Sequence, residues 1–150
     1  MKHFYLLCIL LITTLPIYAQ NSTQKYNSYL DRTEFYDSRG NMTGYAKENT
    51  YLNRVEYFDS GGNLIKYEQK NTYLNRTETY DSNGKQQGYE TTNTYLDRNE
   101  TYNSEGQQEL TKKWNEYLKR YEVYDVRGNM KGYYKYNDYL DKWEYFESSY

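Results

Sequence analysis

The chain reads as an all-β protein: an elongated antiparallel meander of tandem 22-residue β-hairpins, wound as a single-layer or superhelical ribbon. Three observations lead there. A Tyr-Leu pair recurs at Tyr29-Leu30, Tyr51-Leu52, Tyr73-Leu74, Tyr95-Leu96, Tyr117-Leu118 and Tyr139-Leu140, always 22 residues apart, and a fixed period of this size marks a repeat architecture. After each Leu the residue types alternate with a period of two, the spacing of an extended strand. Each full unit then carries an Asp-x-x-Gly or Asn-x-x-Gly segment, which is turn chemistry.

Residues 1–19, MKHFYLLCILLITTLPIYA, precede the repeats. Lys2 gives a positive start, Phe4 to Leu15 an apolar run, Pro16 a helix break and Ala19 a small residue at the end. This is the pattern of a secretory signal peptide. A membrane anchor needs about 20 apolar residues, and Thr13, Thr14 and Pro16 leave this run short. The expectation is a protein that is secreted, periplasmic or at the cell surface after cleavage near Ala19, with no transmembrane segment in the mature chain. Cys8, His3 and Pro16 leave with the leader, so no disulfide can staple what remains. Residues 20–26 read as a short N-terminal segment, and 27–150 as the repeat domain.

The units run 27–48, 49–70, 71–92, 93–114 and 115–136, with a partial one at 137–150. Two positions after each Leu sits a base: Arg32, Arg54, Arg76, Arg98, Arg120, Lys142. Two further on come Glu34, Glu56, Glu78, Glu100, Glu122 and Glu144, and two beyond those Tyr36, Phe58, Tyr80, Tyr102, Tyr124 and Phe146. A first strand at Tyr29–Asp37 would put Leu30, Arg32, Glu34 and Tyr36 on one face, and Tyr29, Asp31, Thr33 and Phe35 on the other. Asp37-Ser38-Arg39-Gly40 reads as a type I turn closed by a glycine bulge. The second strand returns through Met42–Lys47, and a further turn near Asn49-Thr50, Asn71-Thr72 and Asn93-Thr94 opens the next unit.

A β-solenoid is the alternative stacking. It would place Arg32, Arg54 and Arg76 over one another at about 4.8 Å, and like charges directly opposite destabilise a sheet. The meander separates them and lets each Arg meet the Glu of its own strand. Residues 20–150 also hold only 14 Val, Ile, Leu and Met, too few to fill a coil. The count comes to eleven strands. The last, within 137–150, carries Trp143, Tyr145 and Phe146 on an open edge, which invites edge-to-edge self-association.

Charge and residue types exclude several functions. The formal net charge is −2, and losing Lys2 makes it more negative, so no basic face exists for nucleic acid. Glu34, Glu56, Glu78, Glu100, Glu122 and Glu144 form a repeated column, whereas an active site should break the repeat at one place. The nearest departure, Gln107-Gln108-Glu109-Leu110-Thr111, reads as drift. The chain is therefore expected to have no catalytic residue and not to be an enzyme. Asp37, Asp59, Asp81 and Asp125 serve their turns better than a calcium ion, which gathers several acids in one loop. No metal and no cofactor are expected.

The strings Tyr57-Phe58-Asp59-Ser60-Gly61-Gly62-Asn63-Leu64-Ile65 and Tyr80-Asp81-Ser82-Asn83-Gly84-Lys85 resemble the YD-repeat family of bacterial cell-surface and toxin-shell proteins. Gly44-Tyr45, Gly88-Tyr89 and Gly132-Tyr133 resemble the cell-wall-binding repeats of choline- and glucan-binding proteins. The MORN-like repeats of some bacterial antitoxins are similar in hairpin and period. These resemblances cover residues 27–150 and imply tandem hairpins. The Tyr-Leu-x-Arg-x-Glu element belongs to none of them.

The aromatic inventory carries the functional reading. Residues 20–150 hold 21 Tyr, 3 Phe and 2 Trp, and a single-layer sheet cannot cover all of those rings. Tyr45, Tyr67, Tyr89 and Tyr133 are the candidate binding rings, with Trp114 and Trp143 as anchors, for a polysaccharide or protein surface. The alternatives are a self-assembling structural surface protein and an antitoxin- or immunity-like partner.

Overall fold

A computed structural model describes residues 22–148. The leader expected at 1–19 lies outside them. Twelve strands follow one another: β1 (Ser22–Asn27), β2 (Arg32–Tyr36), β3 (Met42–Asn49), β4 (Arg54–Asp59), β5 (Leu64–Asn71), β6 (Arg76–Asp81), β7 (Gln86–Asn93), β8 (Arg98–Asn103), β9 (Gln108–Asn115), β10 (Arg120–Asp125), β11 (Met130–Asn137) and β12 (Lys142–Glu147). Among the described residues there is no helix, hence none long and apolar enough to cross a membrane. Each strand pairs antiparallel with its sequence neighbours, as a meander requires, and not as a solenoid.

The ribbon, however, closes. β1 pairs with β12 and the sheet becomes a barrel. The open ribbon of eleven strands is thus corrected to a closed barrel of twelve, and Lys142–Glu147 is paired on both sides. The edge on which self-association was expected to rest is already occupied.

The register shows why closure works. Within the first full hairpin, Thr33, Glu34 and Phe35 face Ala46, Tyr45 and Gly44. At the seam, Trp143, Glu144 and Tyr145 face Gln24, Thr23 and Ser22. Shifted by whole repeats, these are the same pairs. Residues 22–26, expected to lie outside the repeats, belong with Asn27 to a second strand without its own first strand. It completes the sixth unit, which has a first strand without a second. A wide, strongly twisted sheet curls in any case, and here the curl brings complementary halves together.

The turns form as their chemistry predicts. Asp37 Oδ1 accepts from the Arg39 and Asn41 N–H groups, each at 2.9 Å, and the Gly40 N–H donates to the Asp37 carbonyl at 3.0 Å. Gly40 sits at φ 83°, the left-handed region that glycine enters without a Cβ penalty. A bulge follows, with Phe35 and Tyr36 facing Gly44 and Met42. Gly88 serves close strand approach instead, since a Cβ there would lie 2.3 Å from the Tyr102 carbonyl oxygen.

The two faces divide the labour in an unexpected way. Phe35 meets Tyr57, Glu90 meets Lys112 and Tyr121 meets Trp143, each across an intervening strand, which the concave side of a closed sheet allows, so their face is the inside. In the sequence these are the variable positions. The repeated Arg, Glu and Tyr columns occupy the opposite, outer face.

Candidate functional site

The outer face is a lattice built from one motif. In the first unit, Glu34 Oε1 accepts from Arg32 Nε and Nη2 at 2.9 and 2.7 Å, and from Asn27 Nδ2 at 3.2 Å. The Tyr36 hydroxyl donates to Glu34 Oε2 at 2.7 Å. The Tyr36 bond first, and then Arg32, hold the Glu34 carboxyl below the usual range, and the same bond pushes the Tyr36 hydroxyl up. Glu34, Glu78, Glu100 and Glu122 are buried in this way although they lie on the outside of the barrel.

Above the carboxylates lie the four candidate tyrosines. Tyr45 stacks on Phe58 with centroids 4.9 Å apart, and the Arg32 guanidinium lies 4.3 Å from the Tyr45 centroid. Tyr67 sits likewise between Tyr80 and Arg54, Tyr89 between Tyr102 and Arg76, and Tyr133 between Phe146 and Arg120. These rings are half-buried and engaged by neighbours, so they knit the sheet together and offer little free face. In the drifting unit Thr111 replaces the ring, and the Arg98 side chain is correspondingly more open, 33% exposed against 20% for Arg120. Trp114 and Trp143 are half-buried too, and a row of rings links them: Trp114 to Tyr121 at 4.8 Å and Tyr121 to Trp143 at 5.8 Å.

The exposed rings are elsewhere. Tyr29-Leu30 and its equivalents are not strand residues: they form the tips of the turns joining β1 to β2, β3 to β4, β5 to β6, β7 to β8, β9 to β10 and β11 to β12. The strand expected at Tyr29–Asp37 begins only at Arg32. Because the meander alternates direction, all six tips lie on one rim. Tyr29, Tyr51, Tyr73, Tyr95, Tyr117 and Tyr139 are 93–95% exposed, and the Leu beside each is 39–47% exposed. The opposite rim carries the polar Asp/Asn-x-x-Gly turns.

Each tip is held rigidly from below. Asn27 Oδ1 accepts from the Tyr29 and Leu30 N–H groups, both at 3.1 Å. Asn49, Asn71, Asn93, Asn115 and Asn137 accept from the following Leu N–H in the same way. The amide's other end anchors to the buried Glu, as Asn71 Nδ2 does to Glu78 Oε1 at 3.1 Å. The residue after each Leu, namely Asp31, Asn53, Asn75, Asp97, Lys119 or Asp141, takes φ of 48–50° and turns the chain back. The Asn column is the signal that marks these tips as turns, since Asn favours side-chain bonds to backbone two and three residues on.

Inside, the barrel is asymmetric. Aromatic side chains gather near the seam, while β5, β7 and β9 contribute an ionic group. Lys66 Nζ lies 2.7 Å from Glu68 Oε1, the Tyr57 hydroxyl donates to Glu68 Oε2 at 2.8 Å, and Lys112 Nζ lies 3.4 Å from Glu90 Oε2. Burial raises the Glu68 carboxyl, with Lys66 opposing and the charge of Glu90 adding. Among the described residues no three His, Cys, Asp or Glu side chains cluster to hold a metal ion.

No family model matches the chain, and no curated protein matches it. Its fold is similar to the X-ray structure of a protein from Arabidopsis thaliana, with a TM-score of 0.64 at 8% identity, over 86% of this chain and 80% of that one. At that identity the likeness speaks to the fold alone.

Proposed function

We propose that the protein is a secreted binding module that holds a polysaccharide surface through the crown of six Tyr-Leu tips. The observation that supports this most is the exposure of six identical rings on one rim, each carried by a turn whose backbone an Asn side chain fixes. A tyrosine ring gives a flat apolar face for a sugar and a hydroxyl at its edge. The neighbouring Asp31, Asn53, Asn75, Asp97 and Asp141 supply polar groups for sugar hydroxyls. The tips add Asp138 and Glu116 but only Lys119 as a base, a balance that suits neutral sugars better than anionic lipid headgroups. Adjacent tips stand two strands apart, about 10 Å, so a single glycan strand would touch two or three and an array of strands would touch all six. Weak contacts of this kind gain strength through multiplicity.

The test is retention of the purified protein on insoluble cell-wall and plant polysaccharides, compared with a variant carrying Tyr→Ser at positions 29, 51, 73, 95, 117 and 139. The rings are exposed, so circular dichroism should be unchanged. Retention should fall stepwise as tips are removed, and should rise with oligosaccharide length. Retention that survives loss of all six rings, or no retention on any polysaccharide, overturns the proposal.

A further inference from the structure

The barrel interior offers a second site, unrelated to the crown. A cavity of about 310 Å³ opens between the seam and β5, within the size range of small-molecule pockets. Its walls are two sets of rings. On one side Phe35 and Tyr57 stand nearly parallel, 8° apart with centroids at 6.2 Å. On the other, Tyr134 and Tyr145 meet at 4.6 Å with Trp143 beside them. Between the two sets the strands place Ser22, Gln24 and Gly44, while Thr43, Ile65 and the ends of β2 and β4 at Tyr36 and Phe58 also belong to the lining. The space is therefore a slot lined largely by aromatic side chains.

The slot breaks the repeat. Positions equivalent to Phe35 and Tyr57 are Thr79, Thr101 and Val123 in three other units, and positions equivalent to Tyr134 are Ala46, Glu68, Glu90 and Lys112. Large rings at these inward positions are confined to β2, β4, β11 and β12. Among the described residues the only charged side chain in the lining is Lys66, which is already paired with Glu68 and lies 3.9 Å from the Tyr57 centroid. The site thus has no uncompensated charge, and its recognition rests on ring faces with a few hydroxyl and amide groups.

We propose that this slot binds a small planar aromatic molecule of no net charge, inserted between the Phe35–Tyr57 wall and the Tyr134–Tyr145–Trp143 wall. Walls rich in aromatic rings favour a flat aromatic guest, which can stack or meet them edge to face, over a saturated ring that can do neither. The small side chain of Ser22 is what leaves room.

Isothermal calorimetry with 2-naphthol tests this, with cyclohexylmethanol as a non-planar control and 2-naphthalenesulfonate as a charged one. The expected result is one saturable site for 2-naphthol, and binding of each control weaker by at least tenfold. Phe35→Leu removes one wall and should weaken 2-naphthol at least tenfold. Ser22→Phe sits at the exposed start of β1, fills the slot without deleting packing, and should abolish binding with the circular dichroism of the barrel intact. The six-tip Tyr→Ser variant should bind 2-naphthol normally, which separates this site from the crown. Absence of saturable binding up to the solubility of 2-naphthol overturns the proposal. So does binding that Phe35→Leu and Ser22→Phe leave unchanged, equal binding of cyclohexylmethanol, or loss in the six-tip variant alone.

Discussion

Glu78 and Glu56 provide an internal comparison that tests the outer lattice. Glu78→Ala deletes the acceptor for Arg76 Nε and Nη2 at 2.8 and 2.6 Å, Asn71 Nδ2 at 3.1 Å and the Tyr80 hydroxyl at 2.7 Å. The Arg76 side chain is 24% exposed, so it would recover only part of its hydration. Hydrogen bonds to a charged group contribute roughly 1.5–3 kcal/mol each and are not additive, whereas solvated ion pairs contribute under about 1 kcal/mol. The site lies between these limits, and the loss should be about 3 kcal/mol in all. Glu56 has equivalent bonds from Arg54 and Asn49, but position 58 is Phe and has no hydroxyl to donate. Glu56→Ala should accordingly cost less, by about 1.5 kcal/mol, the lower end for one hydrogen bond to a charged group. Tyr80→Phe should reproduce that difference alone, and should be nearly neutral once Glu78 is already Ala. Urea unfolding followed by far-UV circular dichroism reads all four variants. The lattice is refuted if Glu78→Ala costs under about 1 kcal/mol, if Glu56→Ala costs as much as Glu78→Ala, or if Tyr80→Phe costs the same in both backgrounds.

Other consequences can be measured on the same barrel. The Tyr36 and Tyr102 hydroxyls chiefly hold Glu34 and Glu100 low, and in Glu78 and Glu122 desolvation is outweighed by the Tyr and Arg bonds. A depressed carboxyl stabilises the fold above its unfolded value, near 4.3, and that stability should be lost as pH falls below it. Glu68 works the other way, since its raised carboxyl favours the fold on protonation, so it should blunt the acid limb. The raised hydroxyls of Tyr36, Tyr80, Tyr102 and Tyr124 add stability below the unfolded tyrosine value, near 10, that should fade as pH rises beyond it. Stability against pH should therefore be a plateau with two falling limbs, and a steady rise above pH 10 would contradict the lattice. Lys119 holds φ 50° where the other five units use Asp or Asn, so Lys119→Asn should raise stability by about 0.5 kcal/mol in the same urea assay; a loss would mean that the exposed Lys119–Glu116 ion pair outweighs the relief of the turn. The register that closes the barrel repeats that of the internal β2–β3 hairpin, so the amides shared by β1 and β12 should be protected from deuterium exchange like those in β6 and β7; exchange as fast as in an exposed edge strand would mean that the seam is open.

Hairpins, turns and pairing order are legible in the sequence because each is set by residues close together. Asp37 and Gly40 specify their own turn, and Arg32 and Glu34 find each other on one strand. Closure is not legible in that way. Segment 22–27 shares only Asn27 with the columns, one period before Asn49, and nothing in Ser-Thr-Gln-Lys-Tyr announces pairing with Trp143 to Tyr145 at the far end of the chain. The site reading goes astray for a related physical reason. Alternation with period two treats Tyr29 as the first residue of a strand, since it cannot separate a strand end from a tip that an Asn side chain folds over. Tyr45 and its equivalents look exposed if the sheet is a bare single layer, until an Arg from the neighbouring strand lies across each ring.

The larger inversion concerns which face repeats. A recurring residue ordinarily suggests a packed interior, yet here the repeated Asn, Arg, Glu and Tyr make a polar lattice outside, because that lattice must be identical wherever a tip is to be held at the same angle. The inward positions answer to no such demand. Gly44, Lys66, Gly88, Leu110 and Gly132 occupy equivalent places, as do Ala46, Glu68, Glu90, Lys112 and Tyr134, and each fills the particular space its strand meets. The aromatic slot and the Lys66–Glu68 pair can exist only where the pattern breaks. Periodicity therefore reveals the scaffold and its crown, and passes over the interior as noise, although the interior is where one unit differs chemically from the next.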